Sequence, residues 1–184
     1  LLLGLLNREN PGNCLIFTNM KHTAETVAKR LRTNGITCEY ITGDLNQKER
    51  SRIIDGLKDG QIRILVATNV ASRGLHVDNL DLVVNYDLPE DCEDYVHRIG
   101  RTARAGREGK AISLACEDYI YCLEAIEKYL GMKIPVVWAE EDLLVEDKSK
   151  ARRSRPGQGH GRGQGGEGRG GRRGGRRGQA VHAA

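Results

Sequence analysis

Hydrophobic residues make up 39% of the 184 residues and charged residues 29%, which suits one domain of ordinary size with a buried core and an extension. The formal net charge of +4 conceals a segregation: from Lys148 onward eleven Lys/Arg face one acid, Glu167, so that stretch carries +10 and residues 1–147 carry −6. A basic extension on an acidic globule points to a polyanionic partner. The five scattered cysteines, without a CxxC pair, argue against a zinc ribbon or disulfide framework and for a reducing compartment, the cytoplasm.

The apolar opening Leu1–Leu6 is too short to span a bilayer and reads as part of a helix cut by a fragment boundary. Five short apolar runs follow: Cys14–Phe17, Cys38–Ile41, Ile62–Ala67, Leu82–Asn85 and Ala111–Ala115. Their nearly continuous apolar character predicts parallel strands covered on both faces. Between the first two, Ala24, Val27, Ala28 and Leu31 fall at helical spacing within Lys21–Asn34, with Gly35 as a stop signal. Asn46, with Glu49 three residues on, predicts a capped helix reaching about Asp59. Asp91 is the expected cap of a helix over Cys92–Ile99, and Asp118 of one over Tyr119–Leu130. Alternation of strands and helices predicts an α/β domain built of βαβ units, over residues 1–145. From 146 to 184 a basic Arg/Gly-rich tail is expected to be disordered, since glycines and arginines cannot repay the entropy of ordering.

In a parallel α/β sheet, ligands gather at the carboxyl ends of the strands. Those ends are polar here: Thr18–Lys21, Thr42–Asp44, Thr68–Gly74 and Asp87–Pro89. The densest cluster is YVHRIGRTARAG, residues 95–106, in which Arg98, Arg101 and Arg104 recur every third residue. Such spacing places three guanidiniums on one side of a helix or turn, a site suited to phosphate. Gln47 and Arg50 stand near a helix N-terminus, which also favours phosphate. The chain has no GxxxxGK[ST] string, so no nucleotide site of its own is expected, nor is a metal site.

Taken in order and spacing, LIFTNMK (residues 15–21), TGD with QKER (42–50), ATNVASRGLH (67–76), NYDLP (85–89) and HRIGRTARAG (97–106) resemble motifs IV to VI of the DEAD-box RNA helicases, in the bacterial RhlB type. The resemblance implies a RecA-like (P-loop NTPase-like) parallel sheet flanked by helices, the second domain of an ATP-dependent enzyme that closes two such domains on ATP and RNA. It makes Arg101 and Arg104 the arginine fingers. His97, Arg98, Gly74 and His76 become ATP or interdomain positions, and Gly43, Arg50, Thr68 and Asn19 become RNA contacts. ATP and Mg²⁺ are the implied cofactors, held mainly by an N-terminal RecA-like domain. RNA is the implied partner, with RNA-processing or RNA-degradation proteins beside it and no membrane. In the tail, Arg172, Arg173, Arg176 and Arg177 are expected to bind RNA. His76 and Asn69 stand where the family commonly has Asp, and Ala103 where it commonly has Gly. The rival readings are a DNA helicase of the same superfamily and an RNA-binding module without catalysis.

Overall fold

The computed structural model describes residues 1–72 (at 72 the backbone alone), 77–102 and 109–149, and the backbone of 179–183. In chain order the elements are α1 (Leu2–Glu9), β1 (Cys14–Thr18), α2 (Lys21–Thr33), β2 (Glu39–Ile41), α3 (Gln47–Lys58), β3 (Ile64–Thr68) and α4 (Asn69–Ser72). There follow β4 (Leu82–Asn85), α5 (Cys92–Ile99), β5 (Lys110–Ala115), α6 (Tyr121–Leu130), β6 (Val136–Val137), a 3-10 turn at Glu141–Leu143 and β7 (Gln179–Ala183). The strand order is β2-β3-β1-β4-β5-β7-β6, and the first five strands are parallel, the RecA-like arrangement expected.

Alternation along each central strand sorts its side chains to two cores. Cys14, Ile16, Val66 and Val84 pack against α1 and α2, while Leu15, Phe17, Leu65 and Val83 pack with Ile53 and Leu57 of α3. A third cluster joins Tyr95 of α5 to Cys122 and Ile126 of α6. The register sets Thr18 opposite Thr68 and Phe17 opposite Asn85, so the carboxyl ends of β1, β3 and β4 finish side by side.

Local signals placed most helices correctly. The Asn46 side chain accepts the Glu49 N–H at 2.9 Å, and the Asp91 side chain accepts the Glu93 N–H at 2.8 Å. The expected Asp118 cap is corrected: α6 starts at Tyr121 with no side-chain cap. The Tyr119 and Ile120 N–H groups both bond to the Cys116 carbonyl, so these residues form a turn before the helix. The expected division at 145/146 falls inside a set of contacts, because Asn34 bonds to the Asp147 side chain and accepts the Lys148 N–H, each at 2.9 Å. Further on, Gln179–Ala183 lies within the stretch expected to lack order, and is described as β7, antiparallel to β5 and β6. Pairing there covers the outer edge of β5, whose backbone groups would otherwise stand open. Cysteine burial divides: Cys14, Cys38 and Cys122 are buried, and Cys92 and Cys116 are half-buried.

Candidate functional site

Arg98 is the centre of the carboxyl edge, and the structure places it in a position the sequence pattern did not suggest. Only 2% exposed, it stands on the inner face of α5 rather than in line with its neighbours toward a ligand. Its Nε donates to Asn69 Oδ1 (2.6 Å), Nη1 to Asn85 Oδ1 (3.2 Å) and to the Asp87 carbonyl (2.8 Å), and Nη2 to Asn19 Oδ1 (2.9 Å). The guanidinium also lies over the Phe17 ring, 5.1 Å from its centroid. One cation thus ties together the ends of β1, β3 and β4. Burial pulls its pKa down to about 10, against the opposing pull of Asp94 and Asp87, so it stays charged at neutral pH.

The expected face of three arginines is therefore corrected. Arg98 points inward, and α5 ends at Ile99, so Arg101 follows in a turn. There Arg101 Nη1 stands 3.7 Å from Asp78 Oδ1, with its side chain 21% exposed. Arg104, with Ala103, lies outside the described residues, as do Gly74, His76 and the tail arginines Arg172, Arg173, Arg176 and Arg177. His97 is exposed on α5.

Among the expected RNA contacts, Asn19 is also corrected. Its side-chain oxygen accepts from Arg98 and its amide nitrogen donates to the Leu88 carbonyl at 2.9 Å, so both polar ends serve the domain's interior. Thr68 is buried at the end of β3. Gly43 is exposed beyond β2, and a Cβ there would approach nothing nearer than Lys21 Cε at 3.8 Å, so close packing does not demand glycine. Arg50 is half-exposed on α3, with Nη2 donating to the Ala71 carbonyl at 2.6 Å. Near Gly43, Lys21 Nζ pairs with Asp44 Oδ1.

Three participants were missed from sequence. Asn85 donates to Ser113 Oγ at 3.0 Å while accepting from Arg98, and a lone amide closing the apolar run LVVN was the available signal. Asp94 accepts from Asn69 Nδ2 at 2.9 Å, and Asp78 faces Arg101, yet neither acid stands out in sequence. The Asp87 carboxyl is pushed up by burial, opposed by the Asn19 N–H that it accepts at 2.9 Å and by Arg98. Among the described residues, no three His, Cys, Asp or Glu side chains gather as a metal site, and no helix is long and apolar enough to cross a membrane.

Comparison with known proteins agrees with this geometry. The helicase conserved C-terminal domain model matches residues 1–106, and the chain belongs to that family. The ATP-dependent RNA helicase RhlB of Serratia proteamaculans is 51% identical over 162 residues, covering 88% of this chain and 38% of the relative. RhlB of Pectobacterium carotovorum is 52% identical over 147 residues, covering 80% of this chain and 34% of that protein. The chain thus spans little more than a third of the curated relatives' length. Among solved structures, the Escherichia coli DEAD-box protein SrmB, bound to regulator of ribonuclease activity A, superposes with a TM-score of 0.71 at 35% identity, covering 77% of this chain and 83% of that one. Saccharomyces cerevisiae Dbp5, solved with RNA and ADP BeF3, gives 0.65 at 37% identity over 73% of this chain and 37% of that one. Within the family, the chain is a DEAD-box C-terminal helicase domain of the RhlB type.

Proposed function

We propose that this domain works as the second RecA-like half of an ATP-dependent RNA helicase, completing an ATPase and an RNA clamp with an ATP-binding domain. The observation that carries the reading is Arg101, set just beyond a helix that Arg98 locks to three strand ends, in a domain 51% identical to RNA helicases. A cation fixed in advance costs no reorganisation when charge develops on a transferring phosphoryl group. An arginine finger is worth about 10³–10⁵ in rate. Domain closure would bring Arg101 and Arg104 to the terminal phosphate, with His97, Gly74 and His76 at the same seam. Gly43, Arg50 and Thr68 would meet the RNA sugar–phosphate backbone, which gives binding with little sequence preference. Mg²⁺ would be held mainly by the other domain. The arginines of the basic run, Arg172, Arg173, Arg176 and Arg177 among them, would add a salt-sensitive RNA tether.

The test is turnover. The chain alone should show no RNA-stimulated ATP hydrolysis, and joined to its ATP-binding domain it should. In the two-domain protein, Arg101→Ala or Arg104→Ala should lower kcat far more than it raises KM for ATP. Hydrolysis by the chain alone, or wild-type turnover in both variants, would overturn the reading.

A further inference from the structure

The strand β7 is an inner strand, antiparallel to both neighbours. Val181 stands opposite Ser113 of β5 on one side and Val136 of β6 on the other, and Ala180 opposite Leu114 and Val137. β6 is two residues long, its valines 45% and 52% exposed, and in the strand order it meets β5 only across β7. Without Gln179–Ala183, the edges of β5 and β6 would face each other across a lane one strand wide. Composition changes at the same point. Residues 171–178 are all glycine or arginine, whereas Gln179–Ala183 (QAVHA) has neither.

The near end of the basic run is held as well. Asn34 at the end of α2 donates to Asp147 and accepts the Lys148 N–H, and the Ser149 N–H and hydroxyl both bond to Asp147. The far end begins at Gln179, opposite Ala115. Asp147 and Ala115 line one cleft, with Arg30 and Leu31 of α2 between them, so the run leaves and returns at one place on the domain.

We propose that the lane between β5 and β6 is a strand-insertion site that Gln179–Ala183 fills within the same chain, fixing the arginine run at both ends beside this cleft. Main-chain hydrogen bonds on both sides supply the attraction, as in strand addition to an open sheet edge. Residues 150–178, 29 in all, reach at most about 100 Å from one fixed end and about half that between two. Halving the reach raises the local concentration of arginines at the domain about threefold, by the −3/2 power of length. This consequence for RNA rests on the proposed role of those arginines.

Hydrogen exchange followed by NMR tests the insertion. The Lys110 N–H donates to the Asp81 carbonyl at 3.0 Å, on the β4 side. By alternation the Ala111, Ser113 and Ala115 amides face β7, while those of Ile112 and Leu114 face β4. Val181, opposite Ser113, then turns its own N–H toward β5. Val181→Pro removes that donor and keeps every arginine. In this variant, and in the chain ended at Gly178, exchange should quicken about tenfold at Ala111, Ser113 and Ala115 and stay unchanged at Ile112 and Leu114. No change at the three, or equal change at all five, would overturn the proposal, as would a wild-type chain that sediments as a dimer with strands traded between copies. Affinity for oligouridylate should fall about threefold in Val181→Pro with the salt slope unchanged; unaltered affinity overturns the role of the second anchor. Replacing Arg172, Arg173, Arg176 and Arg177 with Gln separates the two readings. Unaltered affinity there would remove the RNA role of the run, and the exchange pattern would still decide the insertion.

Discussion

Arg98→Ala measures how far one buried cation holds the sheet edge together. The substitution removes four hydrogen bonds and the stacking on Phe17, and leaves the oxygens of Asn19, Asn69 and Asn85 and the Asp87 carbonyl without that partner. A hydrogen bond to a charged group contributes about 1.5–3 kcal/mol, so simple addition would give roughly 6–12 kcal/mol. Two effects reduce this. Water can enter the space left behind, and the guanidinium's own desolvation, which brings its pKa to about 10, is relieved. A buried acceptor left unpaired costs about 1–3 kcal/mol, and with water reaching some of the four the expected loss is about 3–5 kcal/mol. Against a typical stability of about 5–15 kcal/mol it is a large share. Arg98→Lys keeps the charge but presents a point ammonium with three donors, so at least one of the four acceptors loses its bond, for about 2–3 kcal/mol. The assay is urea unfolding of the chain followed by far-UV circular dichroism, because Trp138 is 67% exposed and a poor fluorescence reporter. A loss under about 1 kcal/mol for Arg98→Ala, with an unchanged m value, would refute the reasoning.

Three more outcomes follow from the packing. Gly4→Ala, which in an ordinary helix would stabilise by about 1 kcal/mol, should instead cost about 1–3 kcal/mol in the same urea assay, because the new Cβ would lie 2.2 Å from the Leu143 carbonyl oxygen. Asn46→Ala should cost about 1 kcal/mol by removing the cap on α3, with Asn46→Ser nearly neutral in thermal melts. Asp147 has its pKa lowered to about 2 by bonds from the Ser149 hydroxyl and Asn34. A depressed carboxylate stabilises above its unfolded value near 4 and loses that stabilisation as pH falls toward 2. Because solvent reaches it, the stability gap between wild type and Asp147→Ala should be under about 1 kcal/mol at pH 6 and close below pH 2.

Features legible in the sequence were those written locally. The apolar runs at Cys14 and Leu82 gave strands because burial on both faces leaves no polar residue to interrupt them. Asn46 and Asp91 marked helix starts because a cap bonds only two or three residues ahead. Asp118 misled, since the same side chain suits a turn as well as a cap. The site was half legible. Three-residue spacing located Arg98 and Arg101 but assigned them one face, because it knows nothing of what a sheet brings alongside. Arg98 turns inward only because parallel pairing delivers Asn19, Asn69 and Asn85 to it, from as far as 79 residues away. The same non-local delivery hid Asp94 and Asp78.

The asparagine solvation of Arg98 makes the sheet edge a combination lock. Positions 19, 69, 85 and 98 come from four separate stretches of chain, and the guanidinium is fully met only while the other three each present an acceptor. A hydrophobe at any of the three amide positions removes an acceptor, and lysine at 98 has too few donors, whereas aspartate at 69, where the family commonly has it, still offers the guanidinium an acceptor. Single-letter moves that take away an acceptor or a donor therefore run uphill.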